Sequence, residues 1–287
     1  MRWISIELSA PAARHDVVCA LLEGAGALSI TSGDAGDRPV LEPAPGETPL
    51  WPQVRVSALF DGDYDAAPLL ALLTAAGVEG VVCRQVADQD WARSGQDVMP
   101  RHFGWRLWVC PTDVAPPVPD ALVLRLDAGL AFGTGSHATT GLCLRWLARR
   151  PLADLEVIDY GCGSGILAVA AALLGARQVW AVDIDPQALR ATTDNAARNG
   201  VIERLQVVAP EHLPMLSVDL MVANILAPIL VDLAPRFISM LRPGGALLLS
   251  GVLESQVVDV VAAFGPRMKF LTPVLDQGWA CIEGIRQ

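Results

Sequence analysis

The sequence predicts an α/β protein, a mostly parallel sheet with helices on both faces, preceded by a smaller ferredoxin-like α+β domain. Three observations predict it. Strand-like runs beyond Leu122 are apolar almost throughout, they alternate with helical stretches rich in Ala and Leu, and the first 88 residues follow the order βαββαβ. With 287 residues and 52% hydrophobic content, the chain can bury a sizeable core and divide into two domains.

In the first domain, Trp3 to Leu8 alternates as a strand does, and Val17 to Leu22 carries helical periodicity. Ala27 to Thr31 reads as a second strand. A loop rich in Pro and Gly, Asp34 to Pro52, separates it from a strand at Val54 to Phe60, a helix at Ala66 to Ala76 and a strand at Val81 to Val86. Residues 89–120 read as a connector. They combine a polar run to Arg101, a short strand from Arg106 to Cys110, and PTDVAPPVPDA (Pro111 to Ala121), too proline-rich for a helix or a central strand.

Residues 121–287 carry the second domain. Its strands EVIDYG, QVWAVDID, DLMVANI and GALLLSG are apolar enough to be buried on both faces, as in a parallel sheet covered by helices. The chemistry is concentrated in VIDYGCGSG (Val157 to Gly165), a strand running into glycines 161, 163 and 165 and then a helix from Ile166 to Leu174. Such glycines let the backbone turn tightly and approach a ligand, while the helix N-terminus offers free N–H groups. A dinucleotide fingerprint would need glycine where Ile166 stands, and GTGSHATT (Gly133 to Thr140) lacks the GK[ST] ending of a phosphate loop. GxGxG fits the shorter loop of Rossmann-like class I methyltransferases, so the spacing favours S-adenosylmethionine over NAD or ATP. Asp183, one strand later, is spaced to accept hydrogen bonds from ribose hydroxyls.

Composition narrows the function further. A formal charge of -10 at pH 7 disfavours binding to nucleic-acid phosphates and favours basic partners. Cys19, Cys83, Cys110, Cys143, Cys162 and Cys281 form no CxxC pair, and no His/Cys grouping has zinc spacing. These features predict a reduced, cytoplasmic, metal-free protein. No basic segment leads into an apolar run at the N-terminus, and no apolar stretch reaches membrane-spanning length, so a soluble, unprocessed protein is expected, and it is taken to be a monomer.

The strings DAGLAFGTGSHATT (Asp127 to Thr140), VIDYGCGSGILA (Val157 to Ala168), AVDIDPQAL (Ala181 to Leu189), DNAARNG (Asp194 to Gly200) and VANIL (Val222 to Leu226) resemble the PrmA family. So do WISIEL, the turn at Gly26 to Thr31 and PGETPLW (Pro45 to Trp51) in the first domain, and the likeness covers nearly the whole chain. Members of that family methylate the eleventh protein of the large ribosomal subunit. The resemblance implies amine methylation, of lysine side chains and of the N-terminal amine, with residues 1–88 recognising the substrate protein. Ala128 and Ala138 stand where the family commonly has proline, a departure that touches loop stiffness.

The same resemblance implies that Thr140, Gly161, Asp183 and Asn224 contact S-adenosylmethionine. Thr140 precedes a helix expected at Leu142 to Leu147 and has a helix N-cap as its alternative role. Asp185 is the rival of Asp183 and could instead cap the helix opening at Pro186. Asn224 ends an apolar strand where open α/β sheets place ligands, and a backbone carbonyl near Ile225 is the expected guide for the acceptor nitrogen. Asp127 and Asp159 are carboxylates for the cofactor's positive groups or, equally, loop caps. His137 reads as loop support rather than a general base. Competing readings are a same-fold methyltransferase acting on RNA or a small molecule, and a noncatalytic cofactor-binding module for ribosome assembly.

Overall fold

A computed structural model of the chain describes residues 2–36, 50–78, 80–87, 99–126 and 137–287. It divides into two compact units, residues 1–90 and 91–287.

The first unit runs β1 (Arg2–Pro11), α1 (His15–Gly24), β2 (Ser29–Asp34), β3 (Gln53–Asp61), α2 (Ala67–Ala75) and β4 (Val82–Ala87), with sheet order β2-β3-β1-β4. The expected βαββαβ order therefore holds, with the two outer strands of the β1–β3 pair supplied by β2 and β4. Residues one apart on a strand face opposite sides, so Ile4, Ile6 and Leu8 on β1 stand opposite Phe60, Ala58 and Val56 on β3, and all six are buried. Val18 and Leu22 of α1 and Leu69 and Leu73 of α2 close that face.

The second unit opens with β5 (Arg101–His102), β6 (Leu107–Cys110) and β7 (Leu122–Arg125), a three-stranded sheet of order β5-β6-β7. Residues 111–121 form neither helix nor strand, as proline predicts. Then follow α3 (Ala138–Leu147), β8 (Glu156–Tyr160), α4 (Ile166–Leu173), β9 (Gln178–Val182), α5 (Pro186–Arg198), β10 (Leu205–Val208), β11 (Val218–Asn224), α6 (Ala227–Met240), β12 (Leu241–Leu253), α7 (Val257–Phe264), β13 (Met268–Phe270), β14 (Val274–Asp276) and β15 (Trp279–Arg286). The main sheet has order β10-β9-β8-β11-β12-β15-β13, with β14 paired to β15. Pairings from β10 through β12 are parallel, and β15 is antiparallel to β12, β13 and β14.

Alternation along the strands sorts the core into two layers. Val157, Val179, Leu220 and Leu248 face a layer built with α3 and α4, whereas Ile158, Val182, Met221 and Leu247 face one built with α6 and α7. Seven consecutive residues of α4, Ile166 to Ala172, are buried; the run of alanines keeps the helix slim enough to be enclosed on every side. At the N-terminal ends of the strands, Arg242 reaches Asp219 and Glu156, both at 2.5 Å, and Arg177 reaches Glu156 at 2.8 Å. This partly exposed cluster ties β8, β11 and β12 together at the edge away from their C-terminal ends.

The chain leaves β8 toward β9 and β10 on one side and then returns to place β11 on the other. Such a reversal opens a crevice beyond the strand C-termini, the usual ligand position of open α/β sheets. Gly161 follows β8 and Asn224 ends β11, so two residues singled out by sequence flank the reversal.

Candidate functional site

The glycine turn is fixed by backbone geometry before any ligand is considered. Gly161, Gly163 and Gly165 have φ of 80°, 56° and 78°, values in the left-handed region that glycine adopts without a side-chain penalty. Close approach adds to the requirement at two of them. A methyl at Gly161 would lie 2.2 Å from Ile225 Cγ2, and one at Gly165 would lie 2.8 Å from Thr192 Oγ1 and Cγ2. The Gly161 and Cys162 N–H groups donate to the Val182 carbonyl at 2.7 and 3.0 Å, pinning the turn to the end of β9.

Helix α5 braces the turn from outside. The Thr192 hydroxyl donates to the Gly163 carbonyl at 3.1 Å, and Asn195 Nδ2 donates to the Ser164 carbonyl at 2.8 Å. Sequence reasoning did not single out these two side chains. Asn195 lies within DNAARNG, but nothing local connects a helix residue to a turn 31 positions earlier.

Asp183 directly follows β9, and its two oxygens accept from Gly163 N–H at 2.9 Å and Asp185 N–H at 3.0 Å. A carboxylate can accept about four hydrogen bonds, so lone pairs remain for ligand hydroxyls. Asp185 is the N-cap of α5, accepting from Gln187 N–H at 2.8 Å. The capping alternative thus applies to Asp185.

Thr140 is not the N-cap of its helix. The helix begins at Ala138, and His137 is the cap: its Nδ1 accepts from Thr139 N–H at 3.4 Å and lies 2.8 Å from Thr139 Oγ1. The ring also meets Trp279 edge-on, with centroids 5.1 Å apart. The helix starts at Ala138 rather than at the expected Leu142, although two successive threonines are weak helix formers. Tertiary packing overrides that weakness by burying both. Thr140 Oγ1 accepts from Asn224 Nδ2 at 3.3 Å, across 84 positions of sequence. The fold therefore brings Thr140 and Asn224 together beside Gly161.

Ile225 serves as a spacer. Its side chain packs against Gly161, its N–H donates to the Ser250 carbonyl at 3.2 Å, and its peptide lies so close to Gly251 that a methyl there would sit 2.6 Å from the Ile225 carbonyl oxygen. Ser250 and Gly251, on β12, were not among the residues singled out by sequence; GALLLSG reads as a plain strand.

Asp159 is buried in β8. One oxygen accepts from Ala168 N–H at 2.9 Å, in the first turn of α4, while Oδ1 has no hydrogen-bond partner among the described residues. Burial raises its pKa from 3.8 to about 7, against the lowering effect of the Ala168 N–H and with a smaller raising contribution from Asp183. An unpartnered buried carboxylate oxygen calls for a cation or a proton. Asp127 and residues 128–136 lie outside the described residues. Of the remaining histidines, His15 bonds Ser32 Oγ at 2.7 Å in the first unit, and His102 lies 3.0 Å from the Trp105 carbonyl.

Known proteins extend this reading. Residues 2–287 match the family described as "Ribosomal protein L11 methyltransferase (PrmA)". The chain belongs to the PrmA family. A relative from Pseudomonas aeruginosa, named ribosomal protein L11 methyltransferase, is 47% identical over 293 residues, covering 100% of this chain and 99% of its own. One of the same name from Cellvibrio japonicus is 44% identical over 291 residues, with 100% and 99% covered. The crystal structure of a ribosomal protein L11 methylase from Lactobacillus delbrueckii subsp. bulgaricus superposes with a TM-score of 0.60 at 35% identity, covering 66% of this chain and 98% of that one. PrmA membership accounts for both units of the chain, since the match begins in β1 and ends in the last residue. All six cysteines are free thiols, and among the described residues no cluster of His, Cys, Asp or Glu has the makings of a metal site. No described helix is long and apolar enough to cross a membrane.

Proposed function

We propose that this chain transfers methyl groups from S-adenosylmethionine to amino groups of ribosomal protein L11, on lysine side chains and on the N-terminal amine. The full-length family match carries the reading, and it falls on a fold whose sheet reversal holds the glycine turn, Asp183 and the Thr140–Asn224 pair. The donor set suits the cofactor. Asp159 Oδ1 offers a buried anionic partner for a cationic group, and Asp183 retains lone pairs for ribose hydroxyls.

S-adenosylmethionine, when bound, supplies a methyl carbon activated by its attachment to a positive sulfur. The protein's part is to hold an unprotonated amine in line behind that carbon, and positioning of this kind supplies much of a methyl transferase's rate. A free lysine has to lose its proton first, at about 4.6 kcal/mol at pH 7, whereas an N-terminal amine needs only about 1 kcal/mol. Enclosure in the crevice disfavours the ammonium form, so the proton can leave to water as the side chain enters. Asn224, at the crevice edge with its amide already oriented by Thr140, is the side chain assigned to guide the acceptor, together with the Ile225 backbone.

His137 has no part in this scheme beyond capping α3. His137→Ala is expected to lower stability by about 1 kcal/mol and to leave methylation measurable at a reduced rate. Complete loss with cofactor affinity unchanged would assign the ring to proton removal. Residues 1–88 are assigned to recognition of L11, a role suited to an acidic protein meeting a basic one.

The deciding experiment incubates the full chain with labelled S-adenosylmethionine and unmethylated ribosomal proteins, then weighs each protein intact. Whole-methyl mass gains on L11 alone are expected. Cofactor binding without methylation of any ribosomal protein would overturn the reading.

A further inference from the structure

Helix α6 begins immediately beyond Asn224, and its first turn shows a pattern that neither helix formation nor core packing explains. Leu226 occupies the N-cap and makes no side-chain cap hydrogen bond. Leucine is among the poorest residues for that position, where Ser, Thr, Asp or Asn would satisfy a free N–H. The Leu226 side chain is 51% exposed, so it does not serve the core either. Ile229, one turn on, is 46% exposed, and its N–H donates to the Leu226 carbonyl at 3.1 Å. Residues three apart on a helix share a face. Ala227, Leu230, Ala234, Phe237 and Ile238 meanwhile face the core, so the exposed Leu226, just ahead of the helix, and Ile229, in its first turn, lie off that buried face. Asp232, exposed, follows three residues after Ile229 and has no ion-pair partner among the described residues.

Single exposed apolar residues are ordinary. These two are adjacent, they start two residues from Asn224, and they stand at the sheet edge that holds the glycine turn. We infer that Leu226 and Ile229 form the apolar wall along which the methylene stem of an acceptor lysine lies, with Asp232 drawing the positive charges of a basic substrate protein to the outer end. Lysine stems pack along apolar surface while the amine projects beyond it. A stem resting on this strip would carry its nitrogen toward Asn224. An N-terminal α-amine has no such stem and gains nothing from the strip. Leu226 and Ile229 therefore set a preference between the two kinds of amine, which the cofactor residues do not.

This inference rests on the proposed methylation of L11 amines, and the test separates the two. The full chain, the double variant Leu226→Ser with Ile229→Ser, and the conservative double variant Leu226→Met with Ile229→Leu would each be incubated with S-adenosylmethionine and unmethylated L11. Peptide mapping would give the rates at lysines and at the α-amine, and titration would give cofactor Kd. In the serine variant kcat/KM at lysines is expected to fall about tenfold, while the α-amine rate and cofactor Kd stay within about twofold. The conservative variant should restore lysine methylation. An equal fall at both kinds of amine, an unchanged lysine rate, a matching loss of cofactor affinity, or modification of the α-amine alone by the full chain would overturn the inference. Absence of methyl transfer from the unaltered chain to any amine would instead overturn the proposed function.

Discussion

At pH 8, Asp159→Asn raises the thermal stability of the free protein and weakens S-adenosylmethionine binding by about 10- to 100-fold. Both effects come from one carboxylate. Burial holds its pKa near 7, well above the ordinary 3.8. Between pH 4 and 7 the folded chain keeps a proton there that the unfolded chain has released, so this group's contribution to stability falls as pH rises through that window and is level above it. Three pKa units set an upper bound of about 4 kcal/mol on the fall. Asparagine keeps an acceptor for the Ala168 N–H without the charge, although its amide nitrogen takes the position that has no partner among the described residues. The net gain at pH 8 is therefore smaller, about 1–2 kcal/mol, and no gain is expected at pH 5.

Binding runs the other way. A cation held at Oδ1 favours the ionised carboxylate, so cofactor affinity of the unaltered protein should rise from pH 5.5 to about 7.5 as Asp159 gives up its proton. The variant should lack that rise. Thermal melts at pH 5 and 8, with calorimetric Kd across the same range, check both arms. An unchanged Kd at pH 8 would remove Asp159 from the cofactor site.

Gly161→Ala is the second large effect: loss of cofactor binding and methyl transfer by at least about 100-fold, with a lower melting temperature. Alanine at φ of 80° is strained, and its methyl would overlap Ile225 Cγ2 at 2.2 Å. Relief requires Ile225 to leave its rotamer, or the turn or the Asn224–Ile225 segment to move. Each course displaces residues assigned to the cofactor or the acceptor. Because the clash is between two side chains, a double variant with Ile225→Ala should recover part of the stability lost by Gly161→Ala alone. Such non-additivity is the signature of direct contact. Strictly additive losses in chemical denaturation would show that backbone strain, rather than the Ile225 contact, sets the cost.

Much of this architecture is visible in the linear chain because it is dictated locally. Alternation of buried residues marked β1 and β3, continuous apolar runs marked β8, β9 and β11, and the glycines at 161, 163 and 165 marked the ligand turn. Helix boundaries were less secure where short-range preference and packing disagree. The start of α3 is the clear case: Thr139 and Thr140 discourage a helix, but burial and the Asn224 hydrogen bond hold them in one.

The order of the glycines, the acid after β9 and the asparagine ending β11 is written in the sequence, and with it the fold and the family. Their meeting is not. The Thr140–Asn224 bond, the brace of Thr192 and Asn195 on the turn, and the fit of Ile225 between Gly161 and Gly251 all join residues far apart in the chain. Backbone preference and periodicity act over a few residues, whereas burial and side-chain hydrogen bonding depend on which strands the sheet makes neighbours. The order of the sheet, with β9 on one side of β8 and β11 followed by β12 on the other, decided that.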